Sequence, residues 1–381
     1  MKWMHLSDLH LGKKVNEVSM VTDQEYILKQ IIRIAKEESV DGILIAGDLY
    51  DKQIPSIEAV KLMDELLHDI TDLQIPVCII SGNHDSAERL TFAADFLKRS
   101  KIYIADSYDG EVYHIDFEDE FGPIHVYMLP YIKPVMVKKH HEEFEGNSSD
   151  EAMQEIMRHL IPKVNLDERN LFMCHQLVMG SLTCDSEEKS IGGLDQISPS
   201  VFKDFDYVAL GHIHSPQNMG APTIRYCGTP LAYSFSEAGQ NKSVTIVEMK
   251  EKGNITVREV MLTPRLKMRK IRGFYDEVTA RDYYTNEEKG NPNDYLMVTL
   301  LDEEDVPEAI GKLRSIYPNI MQLMYDNQRT RSNQMIEAEE KEIQKTPMDF
   351  VEELYELQNN QPMSDEQRAF AVKVMEEIFE D

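Results

Sequence analysis

Cysteine, positive charge and long apolar runs are all scarce in this chain. The four cysteines, Cys78, Cys174, Cys184 and Cys227, form no CxxC pair, and two lie inside short apolar runs. That speaks against a zinc knuckle and for buried reduced thiols in a cytoplasmic protein. No apolar run approaches the length of a membrane span, and no leader pattern opens the chain, so the mature protein is expected to begin at Met1. Basic residues number 40 against 68 acidic ones, a formal net charge of −28. Such a surface opposes a polyanion, so any anionic substrate must be drawn in locally, by metal ions or by a partner. What remains is an ordinary globular composition, 42% hydrophobic, in 381 residues, enough for two or three structural units.

The first hundred residues alternate strand and helix patterns. Thr22-Asp23-Gln24-Glu25 reads as a capping box, followed by Ile27, Ile31, Ile34 and Ala35 at helical spacing. A second helix is expected from about Ser56 to Leu73. This alternation indicates βαβ units and a largely parallel sheet, whose ligands gather outside the carboxyl ends of its strands. Strand-like segments follow (Val112 to Phe117, Ile124 to Leu129), then a helix from Asp150 to Val164 and strands near Ile224 to Cys227 and Val244 to Met249. The basic stretch Arg265, Lys267, Arg269, Lys270, Arg272 marks a boundary and reads as a solvated linker more readily than as a contact to phosphates. Beyond it a small unit is expected, with strands at Tyr295 to Leu300 and Ile320 to Tyr325 around a helix at Val306 to Ile316.

Five apolar runs stop at metal-type ligands. Trp3-Met4-His5-Leu6 leads into Ser7-Asp8-Leu9-His10, and Gly42 to Ala46 into Gly47-Asp48-Leu49-Tyr50-Asp51. Val77 to Ile80 leads into Gly82-Asn83-His84-Asp85, Leu171 to Cys174 ends at His175, and Tyr207 to Leu210 ends at Gly211-His212-Ile213-His214. Each residue alone has a plainer explanation: Asp8 a helix cap, His10 a surface histidine, Asp48 a turn residue, His175 a satisfied core histidine. Coincidence at five strand ends is harder to sustain. In extended chain, residues i and i+2 share a side, so Asp8 with His10, and His212 with His214, are expected to converge. With Asp48, Asn83 and His175 they make seven oxygen and imidazole donors. That suffices for two divalent ions, a recurring device for phosphate-ester cleavage. The mixed set without thiolate suits Mn, Fe or Zn better than Ca.

This ordered set, D-x-H, G-D-x-x-D, G-N-H-D, a lone His and G-H-x-H, resembles the calcineurin-like metallophosphoesterases. The resemblance implies an α/β fold: a four-layer β-sandwich flanked by helices. It implies one metal on Asp8, His10 and His214, another on Asn83, His175 and His212, and Asp48 bridging. The cofactor would be two divalent ions, Mn²⁺ first, with Fe, Zn or Mg as alternatives. His84 would face the substrate and act on developing phosphoryl charge or the leaving oxygen, with Asp51 orienting it, while Asp85 would be structural. Ser7 to Lys13, Asp206 to Gln217, Tyr226 to Pro230, Ser234 to Ala238 and Lys242 to Thr245 further resemble the SbcCD-type nuclease subunits of DNA replication, recombination and repair. That family implies a metallophosphoesterase domain over 1–264, a capping domain over 265–331, a linker over 332–345 and a C-terminal helix pair over 346–381. It also implies an ATP-dependent 3'-5' double-strand exonuclease and single-strand endonuclease acting on DNA ends and hairpins. Such a protein is a cytoplasmic homodimer within a heterotetramer, bound through that helix pair to the SMC-like ATPase subunit SbcC. Two other readings stay open: a stand-alone phosphatase or small-molecule phosphodiesterase, and an inactive scaffold. The complete donor set argues against the last.

Overall fold

In the computed structural model, residues 1–187, 194–328 and 330 are described, and beyond them only 352, 355, 363, 364, 367, 368, 370 and 371. Two six-stranded sheets dominate. We number the five site-bearing strands β1 (Lys2–Leu6), β2 (Gly42–Ala46), β3 (Val77–Ile80), β4 (Arg169–His175) and β5 (Tyr207–Gly211). The first sheet runs Ile255–Met261, Ser243–Met249, β1, β2, β3, Ile102–Ile104, and the second Gln217–Met219, Ala221–Tyr226, β5, β4, Gly122–Leu129, Tyr113–Asp119. The neighbours β1, β2 and β3 are parallel, as are β4 and β5, with His175 directly opposite Gly211.

Side-chain alternation along these strands builds the layers, because successive residues face opposite ways. Trp3, Leu44, Ala46, Cys78 and Ile80 of the first sheet meet Leu171, Met173, Tyr207 and Ala209 of the second in a fully buried seam. The intervening residues Met4, Leu6, Ile43, Ile45 and Ile79 face outward, against Ile27, Ile31, Leu62 and Leu66. Those four project from α1 (Val21–Glu37) and α2 (Ile57–Asp72). Phe172, Cys174, Val208 and Leu210 meet Met153, Ile156, Met157 and Leu160 of α3 (Ser149–Leu160). The order helix, sheet, sheet, helix is the four-layer sandwich expected. Each large aliphatic or aromatic side chain so buried stabilises it by roughly 1.5–3 kcal/mol. A polar bolt joins the sheets at the far rim. There the Arg169 guanidinium, at the start of β4, donates to Asp119 Oδ2 (3.2 Å) and to the carbonyls of Met249 (3.1 Å) and Lys250 (2.9 Å).

The chain departs from the sequence reading in several places. The first is Thr22–Glu25, which does not form a capping box. Helix α1 starts at Val21, Met20 occupies the N-cap without a side-chain bond, and Gln24 turns inward. The second is the basic stretch, which is not a solvated linker. Met268–Gly273 is a strand parallel to Tyr295–Leu300, itself parallel to Ile320–Tyr325. Its charge is largely neutralised: Arg269 Nε reaches Asp294 (2.6 Å), Arg272 pairs with Asp326, and Arg265 pairs with buried Asp23 (3.1 Å). This small sheet has its own core, including Ile271, Leu296, Val298, Leu313 and Tyr317. Its helix is shorter than the apolar spacing suggested, Ala309–Arg314, and begins after Glu308 in the left-handed region. The Tyr295 hydroxyl also donates to Asp23 (2.7 Å), so one buried carboxylate of α1 ties the small sheet to the sandwich.

Candidate metal centre

The carboxyl ends of β1 to β5 open onto one rim, and all seven candidate donors meet there. They do not converge by extended i, i+2 geometry. Asp8 (φ 53°), His10 (φ 44°) and Asp48 (φ 51°) lie in the left-handed region, and His212 has φ 107°. Non-glycine residues rarely adopt such angles unless their surroundings over-determine them. Here they do: the amides of Asp8, His10 and Leu11 donate to the carbonyls of Gly47 (3.0 Å), Asp48 (2.9 Å) and Leu49 (2.8 Å), zipping the two turns together. Gln24 braces the first turn, donating to His10 O (2.7 Å) and accepting from the Gly12 amide (2.9 Å). Asp85 accepts from the amides of Leu49 (3.1 Å), Tyr50 (2.9 Å) and Gly82 (3.0 Å), the structural part expected of it.

Two of the motif glycines follow from space. A Cβ on Gly82 would fall 2.1 Å from Asp48 Oδ1. One on Gly211 would fall 1.8 Å from the Ala46 carbonyl oxygen and 2.7 Å from His175 Nδ1. At this rim the sheets touch backbone to backbone.

The donors fall into two groups that share Asp48. In the first, Asp8, His10 and His214 lie together, with His10 Nε2 and His214 Nε2 only 3.1 Å apart. In the second, His175 Nε2 (3.0 Å) and His212 Nδ1 (3.1 Å) both point at Asn83 Oδ1. Asp48 Oδ2 stands 3.3 Å from His175 Nε2 and 3.7 Å from His10 Nε2. The remaining ring nitrogens of His175 and His214 are fixed from behind. His175 Nδ1 faces the Ala46 carbonyl (2.8 Å), which can only accept, so it carries hydrogen and Nε2 is the nitrogen whose lone pair a metal would take in place of a proton. His214 Nδ1 faces Ser186 Oγ (2.7 Å), whose own hydrogen goes to Glu237 Oε1 (2.6 Å), so His214 Nε2 likewise presents a lone pair. Buried Glu237 is held by Lys242 Nζ (2.5 Å), which also caps the His214 carbonyl (2.9 Å).

Electrostatics agree with this polarity. Burial drives His10 and His214 far below the ordinary imidazole range and His212 down to about 4, leaving them neutral ligands at pH 7. Burial raises Asp8 to about 8, with the Asp48 charge adding to it. Burial also opposes the charge on His175, but the adjacent Asp48 carboxylate overrides it and lifts His175 to about 9. Asp48, though buried, is pulled well below the carboxylate range by that same contact. Lone pairs and carboxylate oxygens thus crowd one space that only protons or cations reconcile. The donor set fits two divalent ions.

His84 hangs beside this cluster, its ring centroid 4.9 Å from that of His10. Its amide donates to Asp48 Oδ1 (2.9 Å) and its Nδ1 faces the main-chain carbonyl of Asp51 (2.9 Å), so Nε2 is the ring nitrogen turned away from that carbonyl. The orienting group is therefore the Asp51 carbonyl. The Asp51 carboxylate instead takes Lys13 Nζ at 2.6 Å. Tyr131 stacks on His212 at 6.5 Å and 17°. Nothing in the spacing of Ser186, Gln24 or Tyr131 marks them in the sequence as parts of this site. Glu237 and Lys242 lie inside stretches that carry the family resemblance, which gave them no role.

Comparison with known proteins follows this geometry. A family model described as calcineurin-like phosphoesterase matches residues 1–216, and one described as type 5 capsule protein repressor C-terminal domain matches 264–359. The SbcD subunit of nuclease SbcCD from Staphylococcus epidermidis is 29% identical over 369 residues, covering 96% of this chain and 95% of that one. Among solved structures, a dimetal phosphatase from Danio rerio aligns with TM-score 0.43 at 12% identity, covering 69% of this chain and 98% of that one. A Thermus thermophilus protein aligns with TM-score 0.40 at 13% identity, covering 68% and 98%. With the family model spanning residues 1–216 of 381 and every ordered motif seated at one rim, the chain belongs to the calcineurin-like phosphoesterases.

Proposed function

We propose that this chain is the nuclease subunit of an SbcCD-type complex, a metal-dependent phosphodiesterase acting on DNA ends and hairpins. The observation that carries the reading is the meeting of seven donors from two sheets at one rim, around a carboxylate shared by both groups. Asp8, His10 and His214 would hold one ion, Asn83, His175 and His212 the other, and Asp48 would serve both. When bound, two such ions, Mn²⁺ first among the candidates, lower the pKa of water and neutralise charge on a phosphoryl group. His84, its ring fixed by the Asp51 carbonyl, presents Nε2 to the developing charge or to the leaving oxygen. Lys13, held by Asp51, sets a paired ammonium group beside the cluster.

DNA as substrate and an SMC-like ATPase as partner rest on the likeness to the SbcD subunit of nuclease SbcCD over nearly the full length of both chains. The family resemblance of the motifs adds to this proposal 3'-5' exonuclease polarity, single-strand endonuclease action, ATP dependence and a homodimer within a heterotetramer. It adds also a division near residue 264 into nuclease and capping domains, a C-terminal ATPase-binding segment, and a cytoplasmic location. The test is a Mn²⁺ nuclease assay on blunt and hairpin DNA, with and without the ATPase and ATP. Cleavage that depends on both partner and ATP is expected. Efficient turnover of small phosphomonoesters by the lone chain, with DNA untouched, would replace this reading by that of a stand-alone phosphatase.

A further inference from the structure

On the outer side of the second sheet, His141, Glu155 and His159 bring two imidazoles and a carboxylate together. Glu155 and His159 are one helical turn apart on α3, beside its buried stripe of Ala152, Met153, Ile156, Met157 and Leu160. His141 lies just beyond a short helix, Pro134–Lys138, that packs on α3. His159 Nε2 is 2.9 Å and His141 Nδ1 3.3 Å from the same oxygen, Glu155 Oε1, and the two rings are 4.5 Å apart. Arg158, largely exposed, also uses Glu155, through Nη2 (2.6 Å) and Nε (3.1 Å).

The setting of His141 is what makes this more than an ion-pair cluster. The buried Tyr108 hydroxyl lies 2.7 Å from His141 Nε2 and 3.1 Å from the Gly110 carbonyl, which can only accept. A tautomer with hydrogen on His141 Nε2 satisfies both contacts, Nε2 donating to the hydroxyl and the hydroxyl to Gly110, and it turns the Nδ1 lone pair toward a carboxylate oxygen. Tyr108 stacks parallel to the His141 ring, at 7° and 6.0 Å, and holds it in that pose. In that tautomer the lone pair and the carboxylate face each other across a gap that a cation fills. Protonating His141 as well would set two cationic rings side by side whenever His159 is charged. Burial and that neighbour both push the His141 pKa down.

We propose that His141, Glu155 and His159 form a divalent transition-metal site, separate from the rim where β1 to β5 end. Two imidazoles and one carboxylate, with His159 half exposed and a position open to water, suit Zn²⁺, Co²⁺ or Ni²⁺ better than Mg²⁺ or Ca²⁺. The Tyr108 hydroxyl is the outer partner that fixes ligand orientation, as carboxylates and carbonyls do at other metal-bound histidines. The metal would pin the segment after Val137 to α3. That segment continues from Tyr131, which stacks on His212, so the site sits on the same stretch of chain that walls one side of the candidate metal centre. The site does not depend on the nuclease reading.

The test uses the full chain and Zn²⁺ as probe. Equilibrium dialysis against buffered free Zn²⁺, followed by elemental analysis, counts metal in the wild type, His141→Asn, His159→Gln and Arg158→Gln. The wild type should bind one equivalent more than His141→Asn or His159→Gln, whose site should be weakened ~10–100-fold or more. Arg158→Gln should tighten the same site, because it removes the cation that competes for Glu155. His159→Gln alters an exposed helix position and decides the matter even if His141→Asn misfolds. Co²⁺ substituted into the wild type should show a tetrahedral absorption component that His159→Gln lacks. Equal metal counts in wild type and His159→Gln across the Zn²⁺ range, or weaker binding in Arg158→Gln, would overturn the proposal.

Discussion

Asp48 and His84 are neighbours in space with different parts to play, and substitution should separate them. Asp48 stands in both donor groups, so Asp48→Ala should lose metal and activity together. Two Mn²⁺ per chain retained in that variant would contradict the shared role. His84 bonds to the cluster through its amide, and its ring, though within 4.8 Å of donor atoms of His10 and Asp48, stands outside both donor groups, so His84→Ala should keep its metal while the chemical step slows ~10²–10³-fold. Equal loss of both would make His84 a ligand. Asp51→Asn keeps the carbonyl that fixes His84 and alters the carboxylate's contacts with Lys13 and, at 3.8 Å, with His10 Nδ1, so its defect should be smaller than that of His84→Ala in single-turnover assays. Metal uptake should also carry a proton signature. In the metal-free site Asp8 (raised to about 8) and His175 (raised to about 9) hold protons at pH 7. Ligands bind as deprotonated species, so Mn²⁺ must displace those protons, and its affinity should climb with pH and level off above about 9. Calorimetry in buffers of different ionisation enthalpy would read the release; affinity independent of pH between 6 and 9 would refute it. The donors themselves are legible in the sequence because each ends an apolar run. The supports of His214 are not: Ser186, Glu237 and Lys242 are separated along the chain and meet only through the fold.

At the scale of elements, the site is a set of strand-to-turn junctions more than a set of strands. Strand positions are readable from four- and five-residue apolar runs, since burial on both faces leaves no polar alternation to confuse them. The left-handed turns are not readable, because Asp8, His10 and Asp48 look extended to any period-two pattern. Gln24 shows the same limit in a helix: the letters of a capping box are present, but hydrogen bonding assigns its amide to the first turn. The basic stretch misleads for a related reason, as the acids that neutralise it, Asp23, Asp294 and Asp326, are distant in sequence. Gly211→Ala tests the junctions directly. Its methyl would overlap the Ala46 carbonyl oxygen, so β5 must shift from the first sheet. The expected cost is about 1–3 kcal/mol in urea unfolding, accompanied by loss of metal. Wild-type stability and metal content in that variant would show that the rim tolerates separation.

The helix pair expected over 346–381 lies largely outside the described residues. Within them, Ser364 and Gln367 cap each other reciprocally (2.9 and 3.3 Å), as the sequence suggested, and Arg368 pairs with Glu352. If this segment serves a partner, truncation after Lys345 should leave melting temperature and metal content near wild type and abolish copurification with the ATPase. Unchanged pull-down, or a large fall in melting temperature, would mean that it packs on its own chain. The two sheets raise a mechanical question of their own. Strand β4 begins at Arg169, which bolts the sheets at one rim, and runs to His175 at the other, roughly 20 Å away. Asp8, Asp48 and Asn83 hang from one sheet and His175, His212 and His214 from the other. One end of this laminate is therefore fastened permanently, and the other by a clasp that chelators can open. Removing metal should let the leaves breathe about the Arg169 hinge. Amide exchange would then quicken at the ends of β4 and β5 while the start of β4 stays protected.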